Sequence, residues 1–475
     1  MDKLKFAIHT LGCKVNTYES DIISEQMKKY GFIETEFNMP ADIYIINTCT
    51  VTNMADRKSR QMLHKAKKMN PKAAVVAVGC YVDAAMQNPK MQEILSESEI
   101  DLLITNKEKE RTAQIIIDYL SKNTDELFNI EDAFGSCYFE KINTVHKSEA
   151  DNSSLSELDD HTRAFIKVQD GCNQFCSYCI IPYVRGRIRS RAKEDILEEI
   201  KALSKKGVKE FIITGIHLSS YGKDFFDKSV SEEKRIPGDD IMNQGTAPIL
   251  SLISEINSLP EVKRIRLGSL EPRLISKEFI EELRKNDKLC PHFHLSLQSG
   301  CDKILKSMNR HYTKDEYRES CRLLREAYEH PAITTDVIAG FPGETEDDFA
   351  ETLDFIKEIG FYEAHVFKYS IREGTVAAKF KNQVNDKIKN ERSRMLIEAA
   401  EENSGIFRKY YLKKKVSFIA EQHVIIDGEK YISGYTDEYV RCLKKSEAFT
   451  RGKVESGIAC EIINKKDIDE SLLLI

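Results

Sequence analysis

Two sets of cysteines carry the chemistry open to this sequence. Cys172, Cys176 and Cys179 stand in DGCNQFCSYC with the spacing C-x3-C-x2-C. A loop of that length can wrap three thiolates around one metal centre. Structural zinc normally takes four ligands, usually as two pairs, and the adjoining sequence offers no fourth Cys or His. Three thiolates on a cubane of four irons would instead leave one iron open to a substrate or cofactor. Cys13 (TLGCKVN), Cys49 (NTCTVTN) and Cys80 (VGCYVD) lie far apart, yet each follows directly on a strand-like apolar run. In a parallel sheet the C-terminal strand ends share one edge, so the three thiols can converge there. A single cysteine of this kind reads equally well as buried core, but three at equivalent positions favour a second three-thiol site. Cys137, Cys290, Cys301, Cys321, Cys442 and Cys460 show no ligand spacing and read as core or incidental thiols.

The elements that must position these residues follow from periodicity. Over 1 to about 122, the strand-like runs LKFAIHT, DIYIINT, AAVVAVG and DLLIT alternate with helical patterns at 17–30, 53–70 and 107–121. That is the pattern of a doubly wound parallel α/β sheet. HKSEADNSSLSELDDH (146–161) has little to bury and reads as a linker after an N-terminal domain of 1–145. From 163 to about 400, six strand–helix units predict a full or partial β/α barrel, spanning a central domain of 162–405. Its strands are RAFIKVQ, EFIITGI, KRIRLGS, HFHLSLQS, ITTDVIAG and EAHVFKYS, and the charged piece 223–246 reads as a surface loop. In 406–475 the period shortens, and KVSFIAEQHVII, EKYISGYT, EYVRCLK and ESGIACEII predict a small antiparallel β-barrel.

Composition narrows the class. The chain has 475 residues, 41% hydrophobic and 31% charged, with no apolar run able to cross a bilayer, so a globular multidomain protein with no membrane role is expected. The start, MDKLKFAIHTLGC, has a strand pattern and no signal-peptide core, which predicts a cytoplasmic location and reduced thiols. Net charge is −6, but three stretches run against it. Residues 57–72 carry seven Lys or Arg and no acid, 180–193 carry five and none, and 408–465 have twelve basic against eight acidic residues. Together they favour a polyanion partner.

The Cys172, Cys176 and Cys179 spacing, with Tyr178 before the last cysteine, resembles the signature of the radical S-adenosylmethionine (SAM) superfamily. The resemblance implies that the open iron holds SAM, that an electron from the cluster splits it to a 5′-deoxyadenosyl radical, and that Tyr178 packs beside cluster and adenine. Together LGCKVN, NTCTVTNMADRKSR, GCY, DGCNQFCSYCIIPYVRGRIRSR, ITGIHLSSYG, GSLEP, HLSLQSGCDKILKSMNRHYT and TDVIAGFPGETEDDF resemble the methylthiotransferases of that superfamily along nearly the whole chain. The tail is similar to the small RNA-binding barrel called TRAM. Asp83 and Cys301 depart from the family pattern, where Gln and Ser are usual.

This resemblance implies two 4Fe–4S clusters, one on Cys172, Cys176 and Cys179 and an auxiliary one on Cys13, Cys49 and Cys80. It implies two SAM molecules per product, a reduced donor such as flavodoxin or ferredoxin, and a tRNA anticodon stem-loop as partner. Ser269, Glu271 and Gln298 would line the SAM pocket, while Gly340 and Gly343 suit turns. Arg185, Arg187, Arg189 and Arg191 would contact phosphates, or pair with the acidic helix that follows. Lys413, Lys414 and Lys415 with Tyr410, Tyr411, Tyr435 and Tyr439 offer charge and stacking surface for RNA. Within the family, TLGCKVN and YCIIPYVRGRIRSR look most like the branch that methylthiolates N6-threonylcarbamoyladenosine beside the anticodon. The isopentenyl-adenosine branch, the branch acting on a ribosomal-protein aspartate, and a non-catalytic iron–sulfur RNA sensor are the alternatives.

Overall fold

A computed structural model describes residues 3–96, 100–123, 162–226, 247–465 and 468–475. The expected linker 146–161, Cys137 and most of the loop 223–246 lie outside the described residues. The chain divides into two compact units. The first takes in the N-terminal stretch with Ile180–Gly186 and Ile371–Gly374; the second takes in the remaining described chain from Thr162 onward.

The first unit is a five-stranded sheet of β1 (Lys5–Thr10), β2 (Ile33–Glu34), β3 (Ile43–Thr48), β4 (Ala74–Gly79) and β5 (Leu102–Ile104), in the order β2-β1-β3-β4-β5. Every pairing is parallel. The runs IYIINT and AVVAVG are buried at every position, as central strands covered on both faces must be. Helices α1 (Lys14–Lys29) and α5 (Thr112–Asn123) cover one face, where Ile23, Met27 and Ile116 meet Phe6, Ile45 and Val76. Helix α2 (Asn53–Met69) covers the other through Leu63 and Ala66 against Tyr44, Ile46 and Val75. The sheet is therefore doubly wound. The two-residue β2 lacks an apolar run of its own and had no signal in the sequence.

The second unit opens with β6 (Arg163–Asp170), β7 (Arg189–Ser190), β8 (Glu210–Gly215) and β9 (Arg264–Leu267), in the order β7-β6-β8-β9. A second sheet has β10 (Ser269–Leu270), β11 (His292–Leu295), β12 (Ala332–Ala339) and β13 (Glu363–Lys368) in sequence order. An isolated parallel bridge, Ile265 to Leu289, joins the two halves. Among the described residues no ladder joins β13 to β6, so the strands make a partial barrel. One continuous core lies between the strands and the surrounding helices, with Phe211, Ile213, Phe293, Leu295, Ile253 and Phe349 in it.

The C-terminal strands β14 (Lys415–Ile426), β15 (Glu429–Tyr435), β16 (Arg441–Lys445), β17 (Val454–Lys465) and β18 (Ile468–Leu474) close a barrel in the order β14-β15-β16-β18-β17. The sequence reading of an antiparallel barrel is corrected at one seam, because β16 and β18 pair in parallel. Closing a five-stranded sheet in this order leaves that pair no other direction. The barrel's Tyr435–Val440 turn is seated on buried arginines at the start of the partial barrel. Arg266 donates to the carbonyls of Thr436 (2.6 Å) and Asp437 (2.5 Å) while its Nε meets Glu210 at 2.7 Å. Arg264 donates to the Tyr435 carbonyl at 2.7 Å. Among the described residues no helix is long and apolar enough to cross a membrane.

Candidate cluster and cofactor sites

The C-x3-C-x2-C loop leaves β6 through Gly171 at φ +71° and turns again at Phe175, φ +48°. A non-glycine residue in that region holds only where the surroundings enforce it. They do so through the 307–312 segment that follows β11. Ser177 donates its N–H to the Met308 carbonyl (3.0 Å) and its hydroxyl to that of Ser307 (2.8 Å). Asn309 donates to the carbonyls of Gln174 (3.3 Å) and Phe175 (3.1 Å). Arg310 donates Nη1 to Cys176 Sγ at 3.4 Å and lies over the Tyr312 ring. Burial pushes the Cys172 thiol up to about 12.

Of the residues expected to hold SAM, Glu271 is tied to this loop by a hydrogen bond. Gln174 donates Nε2 to its Oε2 at 3.4 Å, and His217 Nε2 stands 3.3 Å from the same oxygen. Burial works to raise the Glu271 carboxyl, but the hydrogen bond and charge of His217, with Arg310 and Arg273, outweigh it and hold the group at about 2. Ser269 Oγ on β10 meets Ser296 Oγ, just past β11, at 2.7 Å. Gln298 has φ +71° and is tied by its backbone to Asp336 and Ile338. Tyr178 is packed edge-on to Phe341 (6.5 Å) among Ile338 and Phe380. Gly340 has φ +71°, and a Cβ there would sit 2.4 Å from Lys389 Cγ, so backbone and packing both require glycine. Gly343, also at positive φ, faces open space and serves the turn.

In the first unit, Cys13 precedes α1, Cys49 follows β3, and Cys80 opens the helix α3 (Cys80–Met86) directly after β4. The expected convergence at one sheet edge is present. Gly12 has φ +102°, and a Cβ on it would lie 2.8 Å from Cys49 Sγ. Burial raises the Cys49 thiol to about 12; the Val51 N–H opposes this, while Cys80 and Cys13 add to it. Asn16 ties the first two loops together, donating Nδ2 to the carbonyls of Leu11 (2.6 Å) and Thr48 (3.0 Å). Asn106 donates to Cys80 Sγ at 3.5 Å and takes its own N–H to Asp83 Oδ2 at 2.8 Å, which gives Asp83 a defined structural role. Three thiols in the C-x3-C-x2-C loop, with no fourth Cys or His beside them in sequence, are a donor set that fits a four-iron cluster with one iron left open.

Asn16, His217, Asn309 and Arg310 lie inside motifs quoted from the sequence but were given no individual role there, and Arg372 lies outside them, since lone polar residues lack a spacing pattern. Two late segments also return to the first unit with buried arginines. Arg372 pairs with Asp56 (2.8 Å) and donates to Thr50 Oγ1 (2.6 Å) and Asn53 Oδ1 (2.8 Å), just past Cys49. Arg185 donates to Asn16 Oδ1 (2.6 Å) and Glu19 (3.0 and 3.1 Å), and Lys109 meets the same Glu19 at 2.6 Å. The expectation that Arg185 contacts phosphate is thereby corrected, because its guanidinium is 1% exposed and neutralises a carboxylate. Arg191 pairs with Glu199 of the following helix at 2.7 Å, whereas Arg187 lies over Phe175 and Arg189 is exposed beside Asp170. Three of the four tyrosines are corrected too, while Tyr410 is half-buried with Lys414 over its ring. Tyr411 is core, and Tyr435 stacks on Tyr439 (4.6 Å) with Arg163 over both. Lys413, Lys414 and Lys415 remain exposed.

Comparison with known proteins matches residues 166–356 to the radical SAM superfamily and 5–105 to an uncharacterized protein family, UPF0004. The threonylcarbamoyladenosine tRNA methylthiotransferase MtaB of Bacillus subtilis is 36% identical over 94% of this chain and 92% of its own. The chain belongs to the radical SAM methylthiotransferase family. It is a transferase, and this family works with a 4Fe–4S cluster and SAM. A tRNA-2-methylthio-N(6)-dimethylallyladenosine synthase of Acetivibrio thermocellus is also similar, 34% identical over 91% of this chain and 84% of that one. The radical SAM methyltransferase TsrM of Kitasatospora setae shares the fold, with a TM-score of 0.50, 14% identity, and 77% of this chain and 73% of that one covered.

Proposed function

We propose that this methylthiotransferase converts N6-threonylcarbamoyladenosine, next to the anticodon of tRNA, to its 2-methylthio derivative. The observation that carries the reading is the end-to-end similarity to the Bacillus subtilis enzyme of that name. In this reading Cys172, Cys176 and Cys179 hold the cluster that binds SAM, and Cys13, Cys49 and Cys80 hold an auxiliary 4Fe–4S cluster. When bound, these groups supply one-electron cleavage of SAM and a source of sulfur.

The chain's own residues do the rest. Arg310 places a half-buried cation on Cys176, and Gln174 and Glu271 close the polar side of the cysteine loop. Tyr178 and Phe341 form an apolar wall that excludes water. Ser269, Glu271 and Gln298 stand ready for polar groups of SAM, while exposed lysines of the C-terminal barrel hold tRNA. A cytoplasmic enzyme served by a flavodoxin or ferredoxin would have the reductant that this chemistry needs.

The test incubates reduced enzyme with SAM, sulfide and tRNA bearing either threonylcarbamoyl- or isopentenyl-adenosine, with methylthio nucleosides read by mass spectrometry. A site built to pair the threonyl carboxylate leaves polar groups unmatched against an isopentenyl chain, which predicts a preference of 10²-fold or more, on the order of several kcal/mol. Preference for isopentenyl-adenosine overturns the substrate. The cluster assignment is read separately. Changing Cys13, Cys49 and Cys80 to Ala should remove about half the iron and spare SAM cleavage; changing Cys172, Cys176 and Cys179 should remove the other half and abolish cleavage.

A further inference from the structure

Three ligating side chains of the second unit stand together outside the cysteine loop. They are His294 on β11, Asp336 on β12 and His365 on β13, and one potential ligand atom from each lies within 4.8 Å of the others. Adjacent parallel strands hold all three, with His294 opposite Thr334 and Asp336 opposite His365 in the ladders. The site is thus built on rigid backbone rather than on a loop.

Its details are those of a cation site. His294 Nε2 is 3.3 Å from Asp336 Oδ2, a separation that two ligands of one ion adopt at about 2.0–2.2 Å from it. The other ring nitrogen, Nδ1, is held by Thr334 Oγ1 at 2.9 Å. Such a partner on the far nitrogen fixes the orientation of a ligating imidazole. The His365 ring lies nearly parallel to that of His294, centroids 6.0 Å apart and planes 23° apart. His294 and Asp336 are half-buried and His365 is exposed, which leaves a way in from solvent.

We propose that His294, Asp336 and His365 bind a divalent transition-metal ion, in the two-histidine, one-carboxylate arrangement that suits zinc, ferrous iron or manganese. Three protein ligands leave at least one position for water or an oxygen of a bound molecule. His294 lies two residues before Ser296, which follows directly on β11 and meets Ser269. The proposal stands on these three side chains and is independent of the tRNA substrate.

The experiment uses the full chain with both cysteine sites loaded with iron and sulfide. After removal of loosely bound metal, zinc chloride is titrated in and retained zinc is counted by mass spectrometry, with cobalt(II) absorption as a second probe. About one zinc per chain should be retained beyond the iron. His365→Ala, at the exposed position, and Asp336→Asn should each lower zinc affinity at least tenfold at unchanged iron content. Thr334→Val should lower it about 10–100-fold through loss of orientation. If the parent retains no zinc, or if His365→Ala and Asp336→Asn retain as much as the parent, the site is not a metal site. A higher KM for the nucleic-acid substrate in these variants, without any change in zinc, would likewise overturn it in favour of direct substrate contact.

Discussion

Single residues decide how the first unit's cysteine loops are held. Arg372 is 5% exposed and meets Thr50, Asn53 and Asp56, so it fixes the turn that carries Cys49 into α2. Asp56 is itself buried, and burial raises its carboxyl against the pull of Arg372. Removing the guanidinium would leave a buried, uncompensated acid, which costs about 3–5 kcal/mol. Arg372→Met is therefore expected to lower the first unit's unfolding midpoint and to lose auxiliary-site iron, while iron on Cys172, Cys176 and Cys179 is kept. Iron analysis and thermal melts of the single variant, beside the two triple-cysteine variants, check this. Equal loss from both sites would show that Arg372 acts on the whole fold. The cysteines announced themselves in the sequence by spacing and strand-end position. Arg372 did not, since a single arginine 323 positions after Cys49 carries no local pattern.

At the scale of elements, the 346–359 helix illustrates how one cap links several loops. Thr345 and Asp348 close a capping box at its start, Asp348 also meets Lys303 at 2.6 Å, and the Cys301 thiol donates to it at 3.5 Å. Burial works to raise the Asp348 carboxyl, but Lys303, then Thr345 and Cys301, hold it at about 2. Glu344 and Glu351 are the nearby acids that share this field. An unfolded aspartate titrates near 3.9. A depressed folded value means stability that is present above about pH 4 and lost as pH falls toward 2. Asp348→Asn should lower stability at pH 7, and melts of parent and variant should converge between pH 4 and 2. A constant gap across that window would show that the carboxylate charge contributes nothing. The cap was not singled out in the sequence, and the ties to Lys303 and Cys301 required the fold to bring two helix starts together.

For the whole molecule, the C-terminal barrel is part of the second unit rather than an appendage. Its core includes Ala332, Tyr362 and Phe407 from outside the barrel strands, and its turn caps Arg264 and Arg266. Deleting the barrel would strand those arginines beside Glu210, so truncation would damage the partial barrel along with any RNA binding. Surface charge is the cleaner probe. Lys413 and Lys415 are exposed, and Lys413→Glu with Lys415→Glu should weaken tRNA binding severalfold and reduce the slope of log affinity against log salt by about 1 to 2. Filter binding over a salt series, with SAM cleavage as the control, checks this. An unchanged slope would place the RNA contacts elsewhere.

What the sequence determined by itself was whatever local pattern encodes: the cysteine spacings, the alternation of buried strands with amphipathic helices, and the shorter period of the tail. Those features set the α/β sheet, the partial barrel and the thiol groups, because periodicity and strand-end position act within a few residues. Tertiary structure alone decided which charges are buried and against what. Arg185 looked like one of four equivalent cations, yet one of the four neutralises Glu19, another pairs with the next helix and a third lies on an aromatic ring. The pairing of β16 with β18, the seating of Arg266 and the gathering of His294, Asp336 and His365 likewise depend on strands distant in sequence. Such contacts form only when the sheets close, since the desolvation that makes them consequential arises from packing and not from the order of residues.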